Sequence, residues 1–182
     1  MNLKHASILV ALFFLAACTP MNADQANTAL ITGYDYLKGS NGVAKDASKA
    51  LEYFTKAAKQ GNRDAQYNVG LAYVRGEGVV KDFAKAYTWF EKAAYQDDAG
   101  AQYNVGVMSV NGEGVVADPL TAYVWFKLAD EKGYEGAKEA METARNAIAE
   151  DHNQEEIDAA YAKTVGKIKK PVEAVTTDNT PL

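Results

Sequence analysis

Side chains that could perform nucleophilic or metal-assisted chemistry are few in this sequence. It contains 2 histidines and 1 cysteine among 182 residues. A serine nucleophile needs a histidine beside it, but His5 lies in an N-terminal apolar segment and His152 is distant along the chain from the serines outside that segment: Ser40, Ser48 and Ser109. A single cysteine excludes an internal disulfide and a thiolate zinc site. We therefore predict a non-enzymatic protein that binds no metal and no cofactor.

Two glycine-rich segments could be mistaken for phosphate-binding loops. Gly76-Glu77-Gly78 and Gly112-Glu113-Gly114 follow predicted helices rather than strands, and they lack the lysine that a P-loop requires. Their central glutamates recur at one fixed spacing, which is typical of a repeated loop rather than of a catalytic carboxylate pair. Both segments are predicted to be turns between paired helices.

The N-terminal residues have the pattern of an export signal. A short basic start is followed by an apolar run from Ala6 to Ala17, which is shorter than the roughly 20 residues of a membrane-spanning helix. The segment Leu15-Ala16-Ala17-Cys18 resembles a bacterial lipobox. This resemblance implies cleavage before Cys18, diacylation of its thiol and acylation of the new amine. Thr19, where an aspartate favours the inner membrane in the enterobacterial sorting pattern, points to the outer membrane.

Lipidation would also determine where the protein resides. Each buried methylene contributes about 0.8 kcal/mol, and stable anchoring takes more than one acyl chain. We predict a signal peptide over residues 1–17 and a lipidated polar tether over 18–27. The protein is expected to lie in the bacterial cell envelope. Lipid on Cys18 would anchor it to the outer membrane, facing the periplasm.

Composition narrows the class of partner. Hydrophobic residues make up 48% of the chain and aromatic residues 10%, which is enough for a packed core. The formal net charge is −5, whereas a general nucleic-acid binder needs a basic face. We predict no nucleic-acid partner.

The body of the sequence is an internal repeat. The segment Ala65–Gly70 recurs as Ala101–Gly106, and Gly76–Val80 recurs as Gly112–Val116. Aligning residues 65–100 on 101–136 gives 19 identities in 36. A more divergent copy precedes them, with one extra residue in its loop. The predicted repeats are therefore 28–64, 65–100 and 101–136.

Each repeat is predicted to form two helices. The first runs about ten residues from Ala65 and ends at the glycine loop. Asp82 is predicted to cap the second helix, because its carboxylate can accept from free amides of the next turn. Ala86, Phe90 and Ala93 have the spacing of one apolar helix face. Left-handed residues are predicted to close the second helices: Gly61, Asp97 and Gly133.

The C-terminal part departs from the repeat. Helical hairpins of this kind bury their apolar stripes by stacking, and the terminal units are atypical. We predict a helical cap over 137–168, including a last helix of about Gln154 to Lys167 with a capping box at its start. Residues 169–182 are predicted to be a disordered tail.

These motifs resemble the Sel-one-like repeat (SLR) family, a relative of the tetratricopeptide repeats. The family motif is A-x-x-N-[LV]-G-x-x-Y-x-x-G-x-G-V, followed by Asp, Ala, an aromatic pair and Ala. The resemblance implies an all-α fold, an α-solenoid of about three helix-turn-helix repeats of 36 residues with a helical C-terminal cap. It also implies a concave face lined by the first helices and used for protein–protein contact. Ser109 replaces a motif tyrosine and Asp97 a loop glycine, so we expect looser packing near the third repeat.

The resemblance also suggests binding residues. Mapped onto the tetratricopeptide pattern, six residues fall where first helices often face a bound peptide: Tyr67, Asn68, Leu71, Tyr103, Asn104 and Val107. An asparagine amide can both donate to and accept from a peptide backbone. The alternative is that Asn68 and Asn104 brace a neighbouring helix or loop, and the sequence leaves both readings open.

The favoured function is a lipid-anchored, non-enzymatic envelope scaffold that binds another envelope protein or peptide through this concave face. One alternative is a β-lactamase-like or other envelope hydrolase. Exported SLR proteins with that name are cysteine-rich, with a disulfide in each helix pair, and this chain lacks those cysteines. A second alternative is a structural subunit of a secretion or polysaccharide-export assembly.

Overall fold

The chain is described here by a computed structural model that covers residues 21–148 and 152–168. The predicted signal peptide, the lipidation site at Cys18 and the predicted tail over 169–182 lie outside the described residues.

All regular secondary structure in the described residues is α-helical. Successive helices pack against each other from α1 to α7, so that α1–α2, α3–α4 and α5–α6 form three stacked hairpins. The predicted all-α solenoid of three 36-residue repeats is therefore confirmed. The helices are α1 (Ala23–Lys38), α2 (Ala47–Lys59), α3 (Arg63–Arg75), α4 (Phe83–Tyr95), α5 (Ala99–Asn111), α6 (Pro119–Glu131), α7 (Ala137–Ile148) and α8 (Gln154–Ile168).

Aspartate caps define where the second helix of each hairpin begins. The side chains of Asp46, Asp82 and Asp118 accept hydrogen bonds from backbone N–H groups in the first turns of α2, α4 and α6. These bonds satisfy amides that have no partner within the helix. In the second helices α2, α4 and α6, the residue that follows the C-cap is left-handed, as predicted. These residues are Gly61, the non-glycine Asp97 with φ of 66°, and Gly133.

Within each hairpin, a phenylalanine of the second helix lies against a glycine of the first. A Cβ atom added at Gly70 would lie 2.7 Å from ring carbons of Phe90, and one added at Gly106 would lie 2.6 Å from the ring of Phe126. Both rings are buried. The missing side chain therefore lets the two helices of a repeat approach closely.

The second glycine of each loop joins one repeat to the preceding one. Gly78 and Gly114 have positive φ, and a Cβ at Gly114 would lie 2.3 Å from backbone atoms of Phe83, at the start of α4. Gly78 lies in the same way against the backbone of Ala47, at the start of α2. The loops are thus turns between paired helices, as predicted, and they also pack against the preceding repeat.

The C-terminal helix does not continue the stack. α8 packs against α6 and α4, and Ile157 of α8 joins the core cluster that contains α6. Val124 and Leu128 of α6 are buried, whereas the corresponding residues of α4, Thr88 and Lys92, are exposed. The third repeat therefore carries apolar residues on a face that α8 covers.

Two departures from the motif, Ser109 and Asp97, bear on the expectation of looser packing near the third repeat. Ser109 is 1% exposed, and its carbonyl accepts from the N–H of Asp118 just as that of Tyr73 accepts from Asp82. The left-handed Asp97 accepts hydrogen bonds from the side chains of Gln102 and Lys132. Polar contacts thus compensate for the departure at Asp97, whereas the buried hydroxyl of Ser109 has no hydrogen-bond partner among the described residues.

The N-terminal boundary also differs from the prediction. α1 begins at Ala23, inside the segment predicted as a tether over 18–27. Asn22 and Gln25 form a reciprocal capping box, with both hydrogen bonds at 2.9 Å, and Ala26 is buried. A polar composition suggested a tether, but capping and the burial of one alanine start the helix here.

Candidate protein-binding surface

The six residues predicted to contact a partner occupy equivalent positions on two first helices. Tyr67, Asn68 and Leu71 lie on α3, and their counterparts one repeat later lie on α5. All six are half-buried, so each has some surface available to a partner. We call these six residues, Tyr67, Asn68, Leu71, Tyr103, Asn104 and Val107, the first-helix surface.

The two tyrosines are also packing residues. The ring of Tyr67 lies 5.6 Å from that of Phe90. The ring of Tyr103 lies 5.4 Å from that of Phe126 and 4.9 Å from that of Tyr134. Burial raises the pKa of Tyr134, and the neighbouring tyrosines add to the shift. Each tyrosine therefore presents an edge of an aromatic cluster rather than a free ring.

The two asparagines differ in what they bind. The Nδ2 group of Asn68 donates to the hydroxyl of Tyr34 and to the carbonyl of Asp64, both at 2.7 Å. In the described residues, Nδ2 of Asn104 donates to the carbonyl of Gly100 in its own helix, at 2.9 Å. The position of Tyr34 is occupied by Leu71 in the next repeat, which has no hydroxyl. Asn68 thus braces α1 against α3, and Asn104 has unused capacity for a partner.

A cavity of about 360 Å³ adjoins this surface. Its wall includes Tyr103 and Val107 of α5 and Phe126 of α6, and α7 provides Glu139 and Ala144. Sequence reasoning missed the contribution of α7, because α7 lies outside the repeat motif. The other half of the surface borders a much smaller space of about 30 Å³, whose wall includes Asn68 and Leu71.

Most other shifted pKa values belong to groups where α8 packs. The Tyr161 hydroxyl donates to the Glu131 carboxylate at 2.7 Å, and burial together with this bond raises the pKa of Tyr161 to about 12. The Nζ group of Lys167 donates to the hydroxyl of Tyr95. Burial raises the pKa of Glu91, partly offset by the charge of Lys167. These contacts attach α8 to the second helices, on elements other than those of the first-helix surface.

Metal-binding clusters and membrane-spanning helices are both absent from the described residues. In residues 21–148 and 152–168, no group of three or more His, Cys, Asp or Glu side chains could hold a metal ion. None of the helices in these same ranges is both long and apolar enough to cross a membrane.

Comparison with known proteins identifies the repeats. The family model described as Sel1 repeat matches residues 25–62, 63–98 and 99–134, each starting two or three residues before the boundaries predicted from sequence. No curated protein matches the chain.

Two solved structures resemble the whole fold. The crystal structure of the Sel1 repeat protein from Oxalobacter formigenes is 29% identical, with a TM-score of 0.64, and the match covers 85% of this chain and 63% of that one. A protective antigen of uropathogenic Escherichia coli strains, displaying an SLR fold, is 26% identical, with a TM-score of 0.57 and coverage of 85% and 43%. The chain therefore spans less than two thirds of the length of either relative.

Proposed function

The chain belongs to the Sel1 repeat family, whose proteins generally mediate protein–protein interaction, and from this premise we propose that it is a non-enzymatic adaptor of the bacterial cell envelope. It is held at the outer membrane, facing the periplasm, by lipid on Cys18. It offers the first-helix surface to another envelope protein or peptide.

The observation that best supports the binding role is the exposure and composition of the side chains of α5. Asn104 and Val107 are half-exposed there, while Val105 and Met108 beside them are buried. The helix Ala99–Asn111 contains no Asp, Glu, Lys or Arg. Depletion of charge around aromatic and apolar groups is typical of the centre of a protein interface, and the aromatic Tyr103 is a residue type that commonly dominates binding energy.

The lipobox sequence supports the anchor, and the start of the fold limits how far the first repeat could lie from it. The lipobox ends at Cys18, and the capped helix α1 begins only five residues later, at Ala23. Five residues span at most about 17 Å. Acylation of Cys18 would therefore hold the first repeat close to the membrane surface.

The binding role is tested by photo-crosslinking in cells. A photoreactive amino acid at Val107 should crosslink a defined partner, whereas the same amino acid at the exposed Thr88 on α4 should not. Equal patterns from both positions, or none from Val107, would contradict the proposal. Recovery of one fixed stoichiometric complex would instead favour the structural-subunit alternative.

The anchor is tested separately by metabolic labelling with an alkyne analogue of palmitate. The unaltered chain should be labelled and the Cys18→Ala variant should not. Labelling that persists in the variant, or is absent from the unaltered chain, would contradict lipidation at this residue.

A further inference from the structure

The cavity beside α7 lies at the last junction of the solenoid. It lies between α5, α6 and α7, it measures about 360 Å³, and its wall is largely apolar. Val110, which contributes to the wall, is 42% exposed. The family match ends at residue 134, so the residues that α7 adds to this cavity lie beyond the repeat motif. A concave apolar site of this size is in the range of ligand-binding pockets.

The first junction shows what fills this position elsewhere in the same chain. The equivalent space between α1, α2 and α3 measures only about 30 Å³. Its wall includes Asn68, Leu71 and Arg75 of α3. The residues at the corresponding positions of α7 are much smaller: Ala140, Thr143 and Ala147.

The last junction therefore has more open space where α7 carries the smaller Thr143 in place of the half-buried Leu71 of α3. Arg75, which corresponds to Ala147, is exposed and pairs with Glu77. Phe54 and Phe126 occupy equivalent positions in the two walls, whereas Val107 of α5 stands where α1 has the larger Tyr34. A partner that brings an aliphatic side chain would complete the last junction as Leu71 completes the first.

The charge of the cavity wall favours a partner that also carries a basic group. Within residues 21–148 and 152–168, Glu139 is the only Asp, Glu, Lys or Arg residue that lines the cavity, and it is exposed. Among the described residues, no Lys, Arg or His forms an ion pair with it. A basic group entering beside the apolar wall would meet one carboxylate and no competing cation of the wall.

We propose that this cavity is a specificity pocket that receives an aliphatic side chain of a bound peptide together with an adjacent lysine or arginine, which pairs with Glu139. This inference rests on the proposed binding function and specifies which part of the surface selects the partner. The aliphatic side chain packs against Val107, Val110 and Phe126, and the cation selects among otherwise similar apolar segments.

The experiment selects ligands from a phage-displayed library of random peptides on the purified whole chain in detergent. The enriched peptides should share a leucine, isoleucine or methionine next to a lysine or arginine. A synthetic peptide of that consensus should bind the double variant Thr143→Leu, Ala147→Arg at least roughly tenfold more weakly, because the added side chains fill the pocket as in the first junction.

A matched control places the same pair elsewhere. Ala162→Leu with Gly166→Arg places a leucine and an arginine four residues apart on the exposed face of α8. It adds the same single positive charge as Ala147→Arg, and it should leave peptide affinity unchanged. Glu139→Gln should weaken binding of the consensus peptide but not of an analogue in which norleucine replaces the basic residue. Thr143→Leu alone provides a second, milder filling variant, and circular dichroism checks that each variant is folded.

The outcomes separate this inference from the function on which it rests. Enriched peptides that bind the filled variants as well as the unaltered chain would overturn the pocket but leave the binding function standing. Binding that is equally insensitive to Glu139→Gln with both peptides would overturn the role of the carboxylate. Failure to enrich any peptide, together with no crosslinked partner from Val107, would overturn both.

Discussion

Gly106 of α5 lies directly beneath the ring of Phe126 of α6, so close that a Cβ atom on the glycine would stand 2.6 Å from Cε1 of the ring. The same pairing joins Gly70 to Phe90. Each repeat is thus closed internally by an absent side chain on one helix and a large one on the next. Packed cores tolerate added atoms poorly, so this contact should set the stability of the hairpin.

We predict that Gly106→Ala destabilises the protein by about 1–3 kcal/mol, the usual cost of overpacking. Phe126 is 3% exposed, but its ring borders the cavity beside α7 and can shift toward it. Gly70→Ala should therefore cost more, because Phe90 is 1% exposed and borders neither of the two cavities described above. The measurement is urea unfolding followed by circular dichroism. Gly166→Ala is the control, because Gly166 lies in α8 with no atom within 4 Å of an added Cβ. That substitution should be neutral or stabilise the helix by about 0.5–1 kcal/mol. Equal effects at Gly106 and Gly166 would contradict the packing argument.

The second glycine of the loop gives an independent prediction about the contact between repeats. Gly114 has φ of +74°, and an added Cβ would lie 2.3 Å from the backbone of Phe83. Gly133 has φ of +73° but nothing within 4 Å. Gly133→Ala should therefore cost only the left-handed backbone term of about 1–2 kcal/mol. Gly114→Ala should cost clearly more, because backbone atoms cannot rotate away as a side chain can. If the two variants melt at the same temperature, the loop does not act as a packing element.

A third prediction concerns one equivalent position of the two helices, where α6 has Leu128 and α4 has Lys92. Leu128 is 6% exposed beneath α8, whereas its counterpart Lys92 is exposed. Leu128→Lys should release α8 and lower stability by at least about 2–3 kcal/mol, since a buried leucine is lost and a charge must leave the core. Lys92→Leu should change the free energy of unfolding by no more than about 0.5 kcal/mol. Hydrogen exchange should show the loss of protection confined first to α8. A uniform loss along the chain would indicate that α8 is not a separable cap.

The parts of this structure that the sequence predicts are those repeated within it. The aspartate caps, the Gly106–Phe126 pairing and the two glycine loops each recur at a fixed spacing, so pattern alone indicates a helical hairpin and its stacking. Placement of α8 could not be read in the same way, because its partners on α4 and α6 are distant in sequence and unrelated to the repeat. Two substitutions did carry a signal, because Val124 and Leu128 are apolar where the preceding repeat has Thr88 and Lys92.

The candidate site was only partly predictable for the same reason. The equivalence of Asn68 and Asn104 suggested one shared role, yet the hydroxyl of Tyr34 engages only the first, because Leu71 stands in its place one repeat later. The cavity beside α7 depends on side chains that are missing from a helix outside the motif. An absence of this kind has meaning only when Ala147 is compared with Arg75 in a folded junction.

The last prediction concerns alkaline pH and the attachment of α8. Burial and the hydrogen bond to Glu131 raise the pKa of Tyr161 to about 12, above its ordinary value of 10.0. Because the folded-state pKa is the higher one, the stability contributed by the neutral hydroxyl is fully present below about pH 10 and is lost as the pH rises through about 12. Unfolding of the unaltered chain and of Tyr161→Phe should therefore be compared from pH 8 to 12. The unaltered chain should be the more stable at pH 8, because the variant leaves the Glu131 carboxylate without this donor. The difference in stability between the two proteins should shrink between about pH 10 and pH 12. The other tyrosines titrate equally in both proteins, so their contributions cancel. A difference that is constant across the range would show that the Tyr161–Glu131 bond does not hold α8 in place.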